Sequence, residues 1–214
     1  MRSYRRLIMA ASVAACLLAA LAANASATRA LGIEPAGPIT MMSEGNVTIR
    51  VGVFREVICR LGLTGQITAR EVAKASARRL VEGRIGQIEG GGAGECTESE
   101  RGAAEVLVLA ERNTPYPLRY DAFLGTLPDI SGILVTSLFS GIRITAFMGL
   151  RCLYQGELGL LVTFPPSEDG MARRFNRVRF LETTRLRTTD IGCPTEATFR
   201  GELKLMPPQT LTLR

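Results

Sequence analysis

The sequence predicts an all-β chain: an antiparallel β-sandwich or jelly-roll-like domain with at most one short helix. Three observations predict it. Apolar residues recur at every second position through most of the chain, β-branched residues are enriched there, and Gly-, Pro-, Asn- and Ser-rich breaks fall between these stretches.

The first residues stand apart from that pattern. Arg2, Arg5 and Arg6 precede an uncharged apolar run, 7–23, and Ala25-Ser26-Ala27 follows. A basic start, a short apolar middle and an A-x-A end are the marks of a secretory signal peptide, so residues 1–27 are expected to be removed and 28–214 to form a single β-sandwich domain. Two other readings stay open. Val13-Ala14-Ala15-Cys16 fits a lipoprotein box that would anchor the chain at Cys16, although 17–23 continues apolar. A retained anchor is the other, and 17 residues is the short limit for a spanning helix.

The strands follow in order. Val47, Ile49, Val51 and Val53 alternate with Thr48, Arg50 and Gly52, and Val57, Cys59, Leu61 and Leu63 with Ile58, Arg60 and Gly62. Ile142, Ile144 and Ala146 alternate with Arg143 and Thr145. Leu158, Leu160, Val162 and Phe164 do the same, as do Ala197, Phe199, Gly201, Leu203 and Leu205. One face of each is expected to be buried and the other wet. Further strands are expected at 39–43, 65–69, 84–88, 104–110, 118–123, 131–139, 176–181 and 209–213. The one helical spacing, with Val72, Ala73, Ala77 and Leu80 on one side, predicts a short helix over 71–81. Glu44-Gly45-Asn46 and Ser140-Gly141 read as hairpin turns, 165–170 as a loop, and Gly90 to Gly94 as a flexible loop leading into Cys96.

Composition removes several chemistries. The chain has no His and no Trp, so Ser-His-Asp and Cys-His catalysis and His-ligated metal sites are excluded. Taking Arg2, Arg5 and Arg6 from the 26 basic residues leaves 23 against 20 acidic, a net of +3, and nucleic acid is not an expected partner. No cofactor is expected. Export implies an oxidising compartment, where Cys59, Cys96, Cys152 and Cys193 pair as disulfides. No C-x-x-C occurs, and local loops of similar length favour Cys59–Cys96 and Cys152–Cys193.

Three other constellations carry both a functional and a bland reading. Arg173, Arg174, Arg177, Arg179, Arg185 and Arg187 form a basic run in which Arg177 and Arg179 share one strand face. Guanidinium forks there suit an anionic cell-envelope polymer, and a solvated outer face is the alternative. Tyr116, Tyr120 and Phe123, with Asp121 or Asp129, could stack on and hydrogen-bond a sugar, or be core. Glu95, Glu98 and Glu100 surround Cys96 without a Ca²⁺-loop pattern. No catalytic or metal-ligating residue stands out.

Ile58-Cys59-Arg60-Leu61 with Leu63-Thr64-Gly65, Tyr120 with Phe123, the segment Gly125 to Ile130, and Arg151-Cys152-Leu153-Tyr154 resemble a group of secreted, two-disulfide, β-rich proteins of soil actinobacteria. The resemblance covers roughly 39–213. The group often carries a Trp near the position of Pro117. The resemblance implies export, strands and paired cysteines, and supplies no catalytic residue. The expected function is therefore a secreted, non-enzymatic protein acting in envelope structure or polymer binding, with no membrane span in the mature chain. The alternative is a secreted carbohydrate-active enzyme using paired carboxylates. A carrier for an apolar ligand has no sequence feature that raises it.

Overall fold

The computed structural model describes residues 30–53, 55–74, 84–98, 102–108, 115–126, 129–146, 149–164 and 172–213. The expected signal peptide, Cys16 and the 165–170 loop lie outside them.

The fold is all-β, antiparallel and sandwich-like. Among the described residues fifteen strands form one sheet: β1 Ala30–Glu34, β2 Gly37–Ser43, β3 Val47–Val51, β4 Arg55–Ile67, β5 Glu71–Lys74, β6 Arg84–Glu98, β7 Gly102–Ala103, β8 Glu105–Val108, β9 Tyr116–Thr126, β10 Asp129–Ala146, β11 Leu150–Thr163, β12 Ala172–Phe180, β13 Leu186–Arg187, β14 Glu196–Arg200 and β15 Glu202–Leu213. Alternation explains them. Along β4 every second residue from Val57 to Ile67 is buried, and along β12 Arg173, Phe175, Val178 and Phe180 face in while Arg174, Arg177 and Arg179 face out.

The pairings reduce these segments to eight long staves. β1, β2 and β3 run end to end along β4 and β5, from Ala30↔Lys74 through Met42↔Gly62 to Val51↔Arg55. β4 pairs with β6, and β6 pairs in turn with β7, β8 and β9, which succeed one another along it. β8 and β9 pair with β10, β10 with β11, β11 with β12 and β13, and these with β15 and β14. β15 and β14 return to β1, β2 and β3, from Leu31↔Leu213 to Ala197↔Val51. Each stave thus neighbours its predecessor and successor, and the last closes on the first. The two faces of the sandwich join into a closed up-and-down barrel. This order replaces the crossing connections of a jelly roll, and it removes the open edges that two separate sheets would leave.

Hydrocarbon fills the inside and charge covers the outside. The core runs continuously from Leu31, Ile33 and Ile39 to Phe199 and Leu211. Arg50, Arg60, Arg143, Glu157, Arg177 and Lys204 occupy outer positions on the staves. That polarity is the reverse of a lipid-embedded barrel, where an outward Arg or Lys at mid-membrane costs about 2–4 kcal/mol. Among the described residues no helix is long and apolar enough to cross a membrane.

Both disulfides join the pairs that the spacing favours. Cys59–Cys96 links neighbouring staves (Cα–Cα 4.2 Å), and Cys152–Cys193 ties β11 to the segment before β14 (Cα–Cα 5.8 Å). With sequence separations of 37 and 41, each contributes about 4 kcal/mol by restricting the unfolded chain.

Four local expectations are corrected. The first part of the 71–81 helix is strand β5, held by Leu31↔Ala73 and its neighbours, and the rest lies outside the described residues. Pairing with β1 overrides a helical spacing too short to sustain itself. Gly90 to Gly94 belong to β6, opposite Thr64 to Arg60, rather than to a loop. Ser140-Gly141 is an irregularity inside β10, between Phe139↔Gly156 and Ile142↔Tyr154, and the chain does not turn there. Glu44-Gly45-Asn46 interrupts a stave that continues from β2 into β3.

Candidate functional site

Tyr116 and Tyr120 do not form a sugar-stacking face. They project into the barrel with Leu118, and both are buried. The Tyr116 hydroxyl donates to the Gly141 carbonyl at 3.2 Å, and its ring lies 4.8 Å from that of Phe139. Burial pushes the Tyr120 hydroxyl up to about 12. The parity of 116, 118 and 120 was the signal: three alternate residues share the side that Leu118 takes.

Asp121 sits where β9 bulges, between Val135↔Tyr120 and Leu134↔Ala122. It accepts a hydrogen bond from Thr136 Oγ1 at 3.1 Å. Partial burial raises its pKa above the usual carboxylate value; the Thr136 bond opposes this, Glu157 adds to it and Arg119 opposes it. Asp129 lies in β10, paired with Thr126. Of the acidic residues around Cys96, Glu98 is buried, Glu100 lies outside the described residues, and Glu95 pairs with Arg60 at 3.4 Å. Glu95 takes a positive φ of 53°, at the irregularity between Ile58↔Thr97 and Arg60↔Gly94 that sets Cys96 against Cys59. Among the described residues no group of three or more His, Cys, Asp or Glu is placed to hold a metal ion.

Arg177 and Arg179 lie on the outer wall, as their parity requires. Arg177 stands opposite Lys204 across the β12–β15 pair, and both reach Glu44, at 3.3 and 3.1 Å. Arg179 stands opposite Glu202. Arg173 is on the other face, buried. The outer side of β12 to β15 and their connections carries Arg174, Arg177, Arg179, Arg185, Arg187, Arg200 and Lys204 with Glu182, Asp190, Glu196 and Glu202, and Glu44 reaches it from the connection of β2 to β3. The wall is thus cationic, laced by ion pairs that stay exposed and are individually weak.

Farther along this wall is a polar groove of about 580 Å³, a volume within the range of roughly 300–1,000 Å³ typical of ligand sites. Thr48 on β3 and Thr198 on β14 floor it. Glu182 and Arg185, from the connection of β12 to β13, line it too, as do Gly52 and Val53 after β3 and Glu56 of β4. Its charges come in pairs: Arg50–Glu56 at 3.2 Å, Arg200–Glu182 at 3.2 Å and Arg185–Glu196 at 2.8 Å, with Arg187 at 3.9 Å from Glu196. Sequence reasoning missed this groove. It is assembled from three separate segments, and only Arg185 belonged to a run that stood out.

A second open trench, about 490 Å³, crosses the outer face of β2, β4 and β6 between Met42, Arg60 and Glu95, and its floor includes Gly62, Gly92 and Gly94. The barrel interior offers far less room. An apolar cavity inside it, near Ile133, Phe175 and Gln209, measures about 40 Å³, well below the roughly 300–1,000 Å³ typical of ligand sites.

No family model, no curated protein and no solved structure matches this chain.

Proposed function

We propose that this is an exported, non-enzymatic binding module that recognises an anionic polymer of the cell envelope on the outer face of β12 and β15. The observation that carries the reading is the outer face of β12 and β15, where Arg174, Arg177, Arg179 and Lys204 stand exposed against two carboxylates, Glu44 and Glu202. The filled interior supports an external site. Two disulfides are compatible with an extracytoplasmic location. The resemblance to secreted actinobacterial proteins supports export.

Guanidinium forks meet phosphate and carboxylate bidentately, and exposed charge pairs are screened by salt. Retention on phosphate-rich and uronate-rich wall polymers should therefore fall steeply from low to physiological ionic strength. Replacing Arg177 and Arg179 by Ala should remove most of it while changing stability by under about 0.5 kcal/mol. Equal retention of the wild type and the double variant overturns this site.

A carbohydrate-active enzyme is the second reading. Asp121, partly buried in a β9 bulge and held by Thr136 Oγ1 at 3.1 Å, is the carboxylate that favours it. Release of sugar from a glycan panel, abolished by Asp121→Asn, would establish that reading in place of the first.

A further inference from the structure

We infer that the groove between β3 and β14 is a second, separate site, built for a neutral, hydroxyl-rich glycan rather than for an anion. The argument rests on how its charges are arranged. Arg50, Arg185 and Arg200 are each met by a carboxylate within 3.2 Å, so three positive groups face three negative ones. An anionic ligand entering here meets Glu56, Glu182 and Glu196, and a cationic one meets the guanidinium groups. An apolar segment would strip water from both kinds without replacing their hydrogen bonds. A neutral polyol suits them. Each sugar hydroxyl both donates and accepts, and the groove offers both partners side by side. A guanidinium carries five N–H donors and a carboxylate about four acceptor sites, so one mutual contact leaves most of their capacity for a ligand. The side chains of Arg200 and Glu182 are 76% and 62% exposed, so that capacity is open to solvent.

The floor fits the same ligand. Thr48 and Thr198 lie on adjacent strands, in the registers Arg200↔Thr48 and Thr198↔Arg50, and put two hydroxyls between the charged pairs. Glu182 and Arg185 from one connection and Gly52 and Val53 from another complete the lining around this floor. The site lies beyond the Arg177 and Arg179 patch on the same wall, so the two differ in position and in the charge they accept.

The experiment is calorimetric titration of the oxidised protein with short neutral oligosaccharides (glucan, mannan, galactan and arabinan), at low and at physiological ionic strength. At least one should bind, with an affinity nearly independent of salt. Thr48→Val with Thr198→Val keeps the shape and removes the floor hydroxyls. Arg200→Gln with Glu182→Gln removes one charged pair without changing net charge. Each double variant should weaken binding about tenfold or more, with an unchanged circular dichroism spectrum, while Arg177→Ala with Arg179→Ala leaves it intact. Binding by none of the panel overturns the proposal. So does binding that both groove variants retain, or binding that salt abolishes and the Arg177 and Arg179 variant loses. That last outcome assigns the ligand to the cationic patch and leaves the anionic-polymer reading standing.

Discussion

The two ends of the barrel are held in different ways. At one end β3, β8, β13 and β14 line the wall, and both disulfides lie there. Polar ties reinforce them. The Tyr154 hydroxyl donates to the Pro194 carbonyl at 2.9 Å, and the Leu153 amide donates to Asp190 Oδ2 at 2.7 Å, which brackets Cys152–Cys193 with hydrogen bonds. At the other end β1, β2, β5, β9 and β12 line the wall. Among the described residues no disulfide is found there, and the interior is packed with Ile33, Ile39, Ile67, Ile85, Leu118, Ile133, Val162 and Phe175. The hydrocarbon core runs through both ends, with Ile49, Ile144 and Phe199 buried beside the bridges, so one end adds covalent closure to packing and the other rests on packing alone.

The strongest way to break this comparison is reduction. Opening both bridges should cost about 4 kcal/mol for each, measured by denaturant unfolding with and without reductant. Hydrogen exchange should rise first at β3, β13 and β14. An equal rise in β1, β2 and β9 would mean that the ends are not separable. Ile133→Ala attacks the other end. It should cost about 3 kcal/mol by leaving a cavity, and the loss should be the same in oxidised and reduced protein, because Ile133 lies far along β10 from either bridge.

Glycines sharpen the contrast with smaller effects. At the apolar end β4 and β6 approach so closely that a Cβ on Gly65 would lie 2.2 Å from the Gln87 carbonyl oxygen, and one on Gly86 would lie 2.2 Å from that of Gln66. Beside Cys96, by contrast, a Cβ on Gly94 meets nothing within 4 Å. Gly65→Ala should destabilise by about 2 kcal/mol. Gly94→Ala should stabilise by about 0.5 kcal/mol, because it narrows the unfolded ensemble without strain. Thermal melts of the two variants check both signs.

Strand content was legible because alternation survives in a wall with one dry face. Val57 to Leu63 and Ala197 to Leu205 read correctly, since each inward residue is apolar and most outward ones are polar or glycine. The cysteine pairing was legible from loop length and the absence of C-x-x-C. The closed up-and-down order was not, because alternation says which side a residue takes and is silent on which strand lies next to it. The turn readings failed where glycine marks something other than a turn: the Gly90 to Gly94 run is strand, and Ser140-Gly141 is a kink. Arg177 and Arg179 were placed on the right face by parity. The same rule, applied to Tyr116 and Tyr120 beside Leu118, places them inside. The groove was illegible because Thr48, Glu182 and Thr198 are unremarkable apart and meet only through pairing across the seam.

That seam, where β14 and β15 meet β1, β2 and β3, has a further consequence. Every other pairing joins staves consecutive in sequence, so the wall can zip up hairpin by hairpin with modest loop-closure cost. Only the seam joins residues as distant as Leu31 and Leu213. It also sets those two one inter-strand spacing apart, about 5 Å. A short peptide joining the segments ahead of Leu31 and beyond Leu213 would let the chain be cut open at the β10–β11 connection instead. Such a circular permutant would keep every register of the barrel while moving the one distant closure to a different pair of staves.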